Sequence, residues 1–290
     1  MMAHGFWLGL LGAAAALTVG LLLYWQLVIA EGALIGQWLV TLLYDLTARQ
    51  YDGIKQFDAE MEAIFLGRPI VEMLRHTPAP LVLDIGTGTG RLPLALLEQP
   101  GFQGRVIGVD ASRRMIEIAA QKAAAYGDRL TLIWREGDRL PFPDGAFDCV
   151  TCLEMLEFTR SPQRQIAEAA RVLRPGGLLV VTRRRGPDAR LMPGKTHSAA
   201  AFTALLEGMG FRDVTRRMWQ VDYDLHLAWQ GGPPTPPGPR GLLEVLRCPR
   251  CDQIDWQLSP DRLGCAACGA HYAVRRGVIH MPHRGRTPLP

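Results

Sequence analysis

A chain of 290 residues has room for one or two domains with cores of their own, and a net charge of +4 is too small and too diffuse to argue for nucleic acid. Apolar residues make up 48%, a share raised by the N-terminal end, and the six cysteines are few for this length. Four of them stand in two Cys-x2-Cys pairs, which argues for a metal and a reducing compartment rather than a disulfide framework.

Phe6 to Ala30 runs 25 residues without a charge. As a helix it would be roughly 38 Å long, enough to cross a hydrocarbon core of about 30 Å with some tilt. Phe6-Trp7 and Tyr24-Trp25 stand near its ends, as interfacial aromatics do. Val28-Ile29-Ala30 offers a cleavage site of signal-peptide type, but the apolar run is too long for a signal peptide and no Lys or Arg precedes it. The reading is a retained single-pass membrane anchor over residues 1–32. Basic residues follow the span rather than precede it (Arg49, Lys55, Arg68), which places the remaining domains in the cytoplasm. Gly5, Gly9 and Ala13 form a line of small residues through which two such helices could pack into a homo-oligomer, although ordinary small residues in a membrane helix give the same pattern.

Ala33 to Leu46 is apolar again but short for a second span. Gln37, Thr41 and Asp45 recur every four residues and make one narrow polar stripe. Residues 33–50 therefore read as an interfacial helix, or one docked under the next domain. Ile54, Phe57, Met61, Ile64 and Phe65 continue at helical spacing, with Tyr51 and Phe57 as possible lid residues.

The centre of the chain opens on Leu81–Gly90, LVLDIGTGTG: a buried strand, an acid, then a tight glycine turn into a helix. The G-x-G-x-G spacing departs from the dinucleotide pattern, and no phosphate-loop Gly-Lys follows. By itself it is also compatible with a structural turn. Asp84 would repel a pyrophosphate and suits an amino-bearing or cationic ligand. A second strand, RVIGVD, ends in Asp110, placed to accept both hydroxyls of a ribose. Ser112 caps a helix carrying Met115. Leu130–Trp134 is a third strand, closed by Glu136-Gly137-Asp138, and Phe147–Cys152 is a fourth. Cys149 and Cys152 point to opposite faces of that strand and read as core. Leu153-Glu154-Met155-Leu156-Glu157-Phe158 follows, then an amphipathic helix, the stop Pro175-Gly176-Gly177 and a fifth strand. Arg183-Arg184-Arg185 stands at the carboxyl end of that strand, where an anion could bind or where the loop is simply solvated. Ala199–Gly208 is a further helix, and the residues from Val214 to Gln230 form a closing hairpin.

With these motifs in order, residues 51–230 resemble the class I S-adenosylmethionine-dependent methyltransferases, in particular the ubiquinone- and menaquinone-type enzymes. The resemblance implies an α/β fold with a Rossmann-like seven-stranded sheet. It also implies a cofactor site made by Asp84, Gly86, Thr87, Gly88 and Gly90, by Asp110, Ala111 and Met115, and by Asp138, the amide of Arg139 and Glu154. Those enzymes often carry His-Glu-x-Leu-Glu-His after the fourth strand. Leu153 and Phe158 replace both histidines here, so no histidine base is expected, and Glu154 and Glu157 are only weak catalytic candidates.

Residues 231–241 hold five prolines and four glycines and read as a linker. Cys248 and Cys251, then Cys265 and Cys268, have the spacing of a tetrahedral thiolate site that would hold structural zinc. Residues 242–284 resemble the small zinc-ribbon activators of tRNA, ribosomal RNA and protein methyltransferases, which implies a ribbon that adds a strand to its catalytic partner or covers an apolar face of it. A self-contained ribbon is the plainer alternative. Taken together, the expected protein is a membrane-anchored methyltransferase acting on a membrane-associated small molecule or lipid. A tRNA or protein methyltransferase with a fused activator is a second possibility, and a non-catalytic anchored recruitment module a third.

Overall fold

The computed structural model describes the backbone of residues 2–238 and 241–282, and the side chains from Phe6 onward. Met1, residues 239–240 of the linker, the last two residues of the expected ribbon and the Gly5 side position of the small-residue line lie outside the described residues.

Helix α1 (Met2–Tyr24) runs into a wider helical turn, Trp25–Ile29. It is exposed from Phe6 to Tyr24, while Gln26 is buried and Trp25 and Ile29 are half-buried, and the stretch Phe6–Ile29 is long and apolar enough, by length and composition, to cross a membrane. Helix α2 (Gln37–Thr47) follows after a short turn, and α3 (Tyr51–Lys55), α4 (Ala59–Glu62) and α5 (Arg68–Met73) lead into the sheet.

The central strands are β1 (Leu81–Ile85), β2 (Arg105–Asp110), β3 (Leu130–Trp134), β4 (Phe147–Cys152) and β5 (Leu173–Arg184). Between them lie α6 (Arg91–Leu97), α7 (Arg113–Lys122) and α8 (Pro162–Val172). After β5 come α9 (Pro187–Arg190) and α10 (Ala199–Gly208), then the antiparallel pair β6 (Phe211–Gln220) and β7 (Tyr223–Gln230). Buried residues on β1 and β2 alternate between two cores. Leu83, Ile85 and Ile107 meet α8 and α10 through Ile166 and Phe202; Val82 and Val106 meet α5, α6 and α7 through Ile70, Leu96 and Ile116. That alternation is the two-residue strand period, and it gives a sheet covered by helices on both faces. Cys149 and Cys152 fall into opposite cores, as a separation of three residues on a strand requires.

One expectation needs correction. The sheet does not stop at seven strands. A short helix α11 (Leu242–Val245) is followed by β8 (Trp256–Ser259), β9 (Arg262–Cys265), β10 (His271–Arg275) and β11 (Val278–His280). The strand order is β6-β7-β5-β4-β1-β2-β3-β11-β10-β9-β8, a single eleven-stranded sheet. Strand β11 pairs in parallel with β3, Ile279 opposite Ile133. The reason is the open edge of β3, whose unpaired amides and carbonyls need partners; β11 supplies them from the same chain. The docking is apolar as well, since Leu246, Leu263 and Met281 share a core with Leu140 and Phe142. Nor is the linker free along its length. Arg174 Nη1 donates to the Thr235 carbonyl at 2.7 Å, and the Thr235 amide donates to the Pro175 carbonyl at 3.3 Å.

Candidate functional site

The site is organised by the glycine turn after β1. Gly86, Gly88 and Gly90 have φ of 73°, 54° and 88°, a region that residues with a β-carbon avoid. A β-carbon at Gly86 would also stand 3.0 Å from the Met155 side chain. Gly90 leads directly into α6 and so ends the turn. Around this turn lies an open cleft enclosing about 890 Å³ up to its mouth, with a smaller lobe beside it of about 370 Å³. Tyr51, Gly86, Gly88, Leu153 and Glu154 line both lobes.

Asp110 stands in the larger lobe, at the tip of β2. One carboxylate oxygen accepts from the Gly88 amide and the other from the Ser112 amide, both at 2.7 Å. Each oxygen keeps a second acceptor direction, so the group can still receive two ligand hydroxyls. Enclosure by protein pushes its pKa up to about 6, against those amide bonds, which favour the anion. Asp84 is buried in the smaller lobe, with Thr151 Oγ1 donating to it at 2.6 Å. Burial raises its pKa to about 6 as well, with the Thr151 hydroxyl opposing. Ala111, Met115 and Ser112 border the larger lobe, while Thr87 lies in the smaller. Gly90 lines neither and serves the helix start.

Asp138 and Arg139 are not brought into the cleft. Strand β3 ends at Trp134, and the wall beyond it is made by Arg135, Gly137 and Leu140. The Asp138 charge supports the ammonium of Lys195, which burial disfavours and which donates to the carbonyl of the cleft residue Thr159 at 2.6 Å. The three acids expected to share one cavity are therefore two. Of the weak catalytic candidates, Glu157 is buried outside the cleft, where Tyr223 donates to it at 2.5 Å. Glu154 does face both lobes, in a left-handed conformation at φ 51°, but Arg91 Nη1 holds its carboxylate at 2.5 Å. The arginine run is likewise occupied. Arg183 is paired with Asp224, and Arg184 donates to the Ile29 carbonyl at 3.2 Å. Both keep buried donors without a hydrogen-bond partner, Nε of Arg183 and Nε and Nη1 of Arg184, the last 4.0 Å from Glu157.

Two features escaped the sequence. Arg91 joins Glu62 at 2.8 Å and Glu154 at 2.5 Å, with the Phe57 ring 4.1 Å from its guanidinium carbon and Trp219 at 5.2 Å. This buried cluster closes the smaller lobe. The signal available was only an arginine one residue after the glycine turn. The second feature is the cover of the larger lobe, formed by α2 through Gln37, Val40, Thr41 and Tyr44. Tyr44 stacks near Tyr51 and Phe158, and Tyr51 near Phe57, at centroid distances of 5.5, 5.8 and 5.7 Å. Tyr51 and Phe57 thus stand where lid residues were expected.

Far from the cleft, the Sγ atoms of Cys248, Cys251, Cys265 and Cys268 lie within 4.8 Å of one another. Two of the pairs are 3.6 and 3.7 Å apart. A tetrahedron with metal–sulfur bonds of about 2.3 Å has edges near 3.8 Å, so the donor set fits a thiolate-bound metal.

A doubly wound sheet with its cleft at the carboxyl ends of the strands, beside a glycine turn, defines a ligand-binding α/β domain. Residues 82–177 match the family described as a methyltransferase domain. The chain is 34% identical over 152 residues to a demethylmenaquinone methyltransferase of Symbiobacterium thermophilum, covering 52% of this chain and 61% of that protein. It is 41% identical over 112 residues to the demethylmenaquinone methyltransferase of Deinococcus radiodurans, covering 38% and 45%. It is 32% identical over 126 residues to a ubiquinone/menaquinone biosynthesis C-methyltransferase of Hahella chejuensis, covering 43% and 50%. The chain thus spans about half the length of these relatives. In fold it is similar to an S-adenosylmethionine-dependent methyltransferase structure from Methanococcus maripaludis (TM-score 0.52, 19% identity, 65% of this chain and 94% of that one). It is similar to the same degree to the cyclase SpnF (TM-score 0.53, 19% identity, 70% and 97%). Residues 82–177 are thus similar to a methyltransferase domain.

Proposed function

We propose that the protein is a membrane-anchored methyltransferase that moves the methyl group of S-adenosylmethionine to a membrane-associated small molecule, with a quinone-type ring as the favoured class. The observation that carries this is the two-lobed cleft, which offers one carboxylate on each side of the glycine turn. Asp84 would take the amino group of the cofactor's methionine half and Asp110 the ribose hydroxyls. That leaves the sulfonium between them, near Gly86 and Glu154. When bound, the cofactor would supply an electrophilic methyl carbon and S-adenosylhomocysteine as the leaving group, and the proton released by the methylated acceptor would pass to solvent at the open mouth of the cleft. The cofactor brings its own leaving group, so the protein's part is positioning and exclusion of water. Glu154 is held by Arg91 and adds orientation and charge rather than a free base.

The membrane reading rests on the apolar span from Phe6 to Ile29, exposed as far as Tyr24. The substrate class follows that of the three similar methyltransferases, named for demethylmenaquinone and for ubiquinone/menaquinone biosynthesis. Zinc is the metal proposed for the four thiolates, and its role is structural, since four sulfurs leave no position for water. The ribbon then supports this domain in cis by completing its sheet.

Transfer of a labelled methyl group from S-adenosylmethionine into fractionated membrane lipid, RNA and protein tests the proposal. Label in the lipid extract is the expected result. Label confined to RNA or protein would instead favour an activator-type ribbon and a macromolecular substrate.

A further inference from the structure

Helix α2 is inside out for a helix resting on a water-soluble body. Its polar stripe faces inward: Gln37 and Thr41 line the larger lobe, and Asp45 accepts from Ser112 Oγ at 2.6 Å and from the Arg114 amide at 3.1 Å. Its outward face is Trp38, Leu42 and Leu46, spaced four apart and 64%, 46% and 63% exposed, with Ile35 just ahead of it at 53%. Water on that face would oppose the arrangement.

Something apolar is close at hand. The span that ends at Ile29 is separated from α2 by seven residues. That connection is fixed to the body. Ala30 and Ala33 are buried with Val40, Phe158 and Met192, and Tyr44 donates to Glu31 at 2.8 Å. Arg184, at the end of β5, donates to the Ile29 carbonyl at 3.2 Å. Its neighbour Arg185 donates through its amide to the Asp222 carbonyl at 2.7 Å. This brings the β6–β7 turn, with Val221 at 86% exposed, to the same strand end.

We propose that α2 lies in the interface of the bilayer that holds the anchor, with Trp38, Leu42 and Leu46 seated at the boundary between headgroups and acyl chains. The proposal rests on the membrane reading given above and extends it from the anchor to the wall of the cleft. One side of α2 then faces lipid while the other covers the larger lobe. An acceptor dissolved in the bilayer reaches the cleft past Val40 and Tyr44 without crossing water.

The test uses the full chain in vesicles of phosphatidylcholine with a minority of phosphatidylglycerol. A photoreactive benzoylphenylalanine replaces Leu42 in one preparation and Glu207, exposed on α10, in another. Lipid adducts after illumination should be about tenfold more abundant at Leu42 than at Glu207. Equal yields, or adducts from Leu42 to protein alone, overturn the proposal and point to a second copy or another protein on this face. Flotation of the same preparations after an alkaline wash separates the two readings. A chain that floats but gives no lipid adduct at Leu42 keeps its anchor and loses the interfacial helix, whereas a chain that does not float loses both. Binding of S-adenosylhomocysteine by the Leu42-substituted chain, expected unchanged, shows that it is folded.

Discussion

The two lobes of the cleft share the glycine turn and are closed by opposite means. The smaller lobe, around Asp84, is sealed by charge: Arg91 is held between Glu62 and Glu154 and sandwiched by Phe57 and Trp219. The larger lobe, around Asp110, is covered by α2 and its aromatic contacts and backed by the segment after β3. The difference teaches which part can move. A buried ion-pair cluster has one good geometry and a high penalty for any other. The α2 cover, held by separate hydrogen bonds from Ser112 to Asp45 and from Tyr44 to Glu31 and by aromatic edges, can shift at less cost. In the proposed function the fixed lobe would hold the methionine half of the cofactor, and the covered lobe would hold its ribose beside the wall past which the acceptor would enter.

The ribbon offers the largest perturbation, and it should act on one lobe only. The Arg247 amide donates to the Pro141 carbonyl at 2.7 Å, and the Met281 amide to the Trp134 carbonyl at 2.9 Å. Both bonds hold the segment that contributes Arg135, Gly137 and Leu140 to the larger lobe. Structural zinc in small ribbons is worth about 10–16 kcal/mol of apparent binding energy. Cys265→Ser with Cys268→Ser, or chelation, should therefore unfold β8–β11 and expose the edge of β3. Hydrogen exchange is expected to rise across residues 130–141 and stay low across β1 and α6. Equal loosening of both lobes would erase the distinction.

Next in size is Arg91→Met. It leaves Glu62 and Glu154 buried without a counter-charge and should cost about 3–5 kcal/mol in denaturant unfolding. The triple variant Arg91→Met, Glu62→Gln, Glu154→Gln should recover much of that loss. If the single variant is as stable as the parent, the smaller lobe is not closed by charge.

Proton uptake should weaken cofactor binding from both lobes. Asp84 and Asp110 have pKa values raised to about 6, so each is an anion above that pH and becomes neutral below it. If binding needs the anions, affinity for S-adenosylhomocysteine is flat above pH 7 and falls by up to about tenfold per pH unit and per group below 6. A titration series from pH 5 to 8 reads this directly. The sign for folding is opposite. A carboxyl with a raised folded pKa binds its proton better in the native state, so the ligand-free protein gains stability from these two groups as pH falls through about 6.

The smallest effect concerns the lid. Tyr44→Phe removes the bond to Glu31 and should cost about 1 kcal/mol, with exchange of α2 amides rising and those of α6 unchanged.

Much of this was legible in residue order because local rules decide it. The apolar run Leu81-Val82-Leu83, the glycines after it and the acid ending RVIGVD each need only their neighbours. Helix Ala199–Gly208 lies where its sequence places it. The four thiols also converge, because two short knuckles bring them together. What was not legible depends on partners far along the chain. The ribbon's resemblance implied an added strand, but nothing near Val278 says that it will lie beside Leu132, 146 positions earlier. Asp138 has the right offset for the cleft and β3 ends at Trp134 as its sequence suggests, yet it is Gly137 rather than Asp138 that lines the wall. The stripe Gln37, Thr41, Asp45 was visible as a period, but not that it would face the protein rather than water.

Calorimetric titration of S-adenosylhomocysteine into the full chain, with Asp110→Ala and Asp84→Asn beside it, tests the central claim most directly. The account predicts one site per chain, with affinity reduced by about a hundredfold or more in each variant, since each removes charge-assisted hydrogen bonds worth about 1.5–3 kcal/mol apiece. No binding to the parent chain, or binding that both variants leave unchanged, would contradict it.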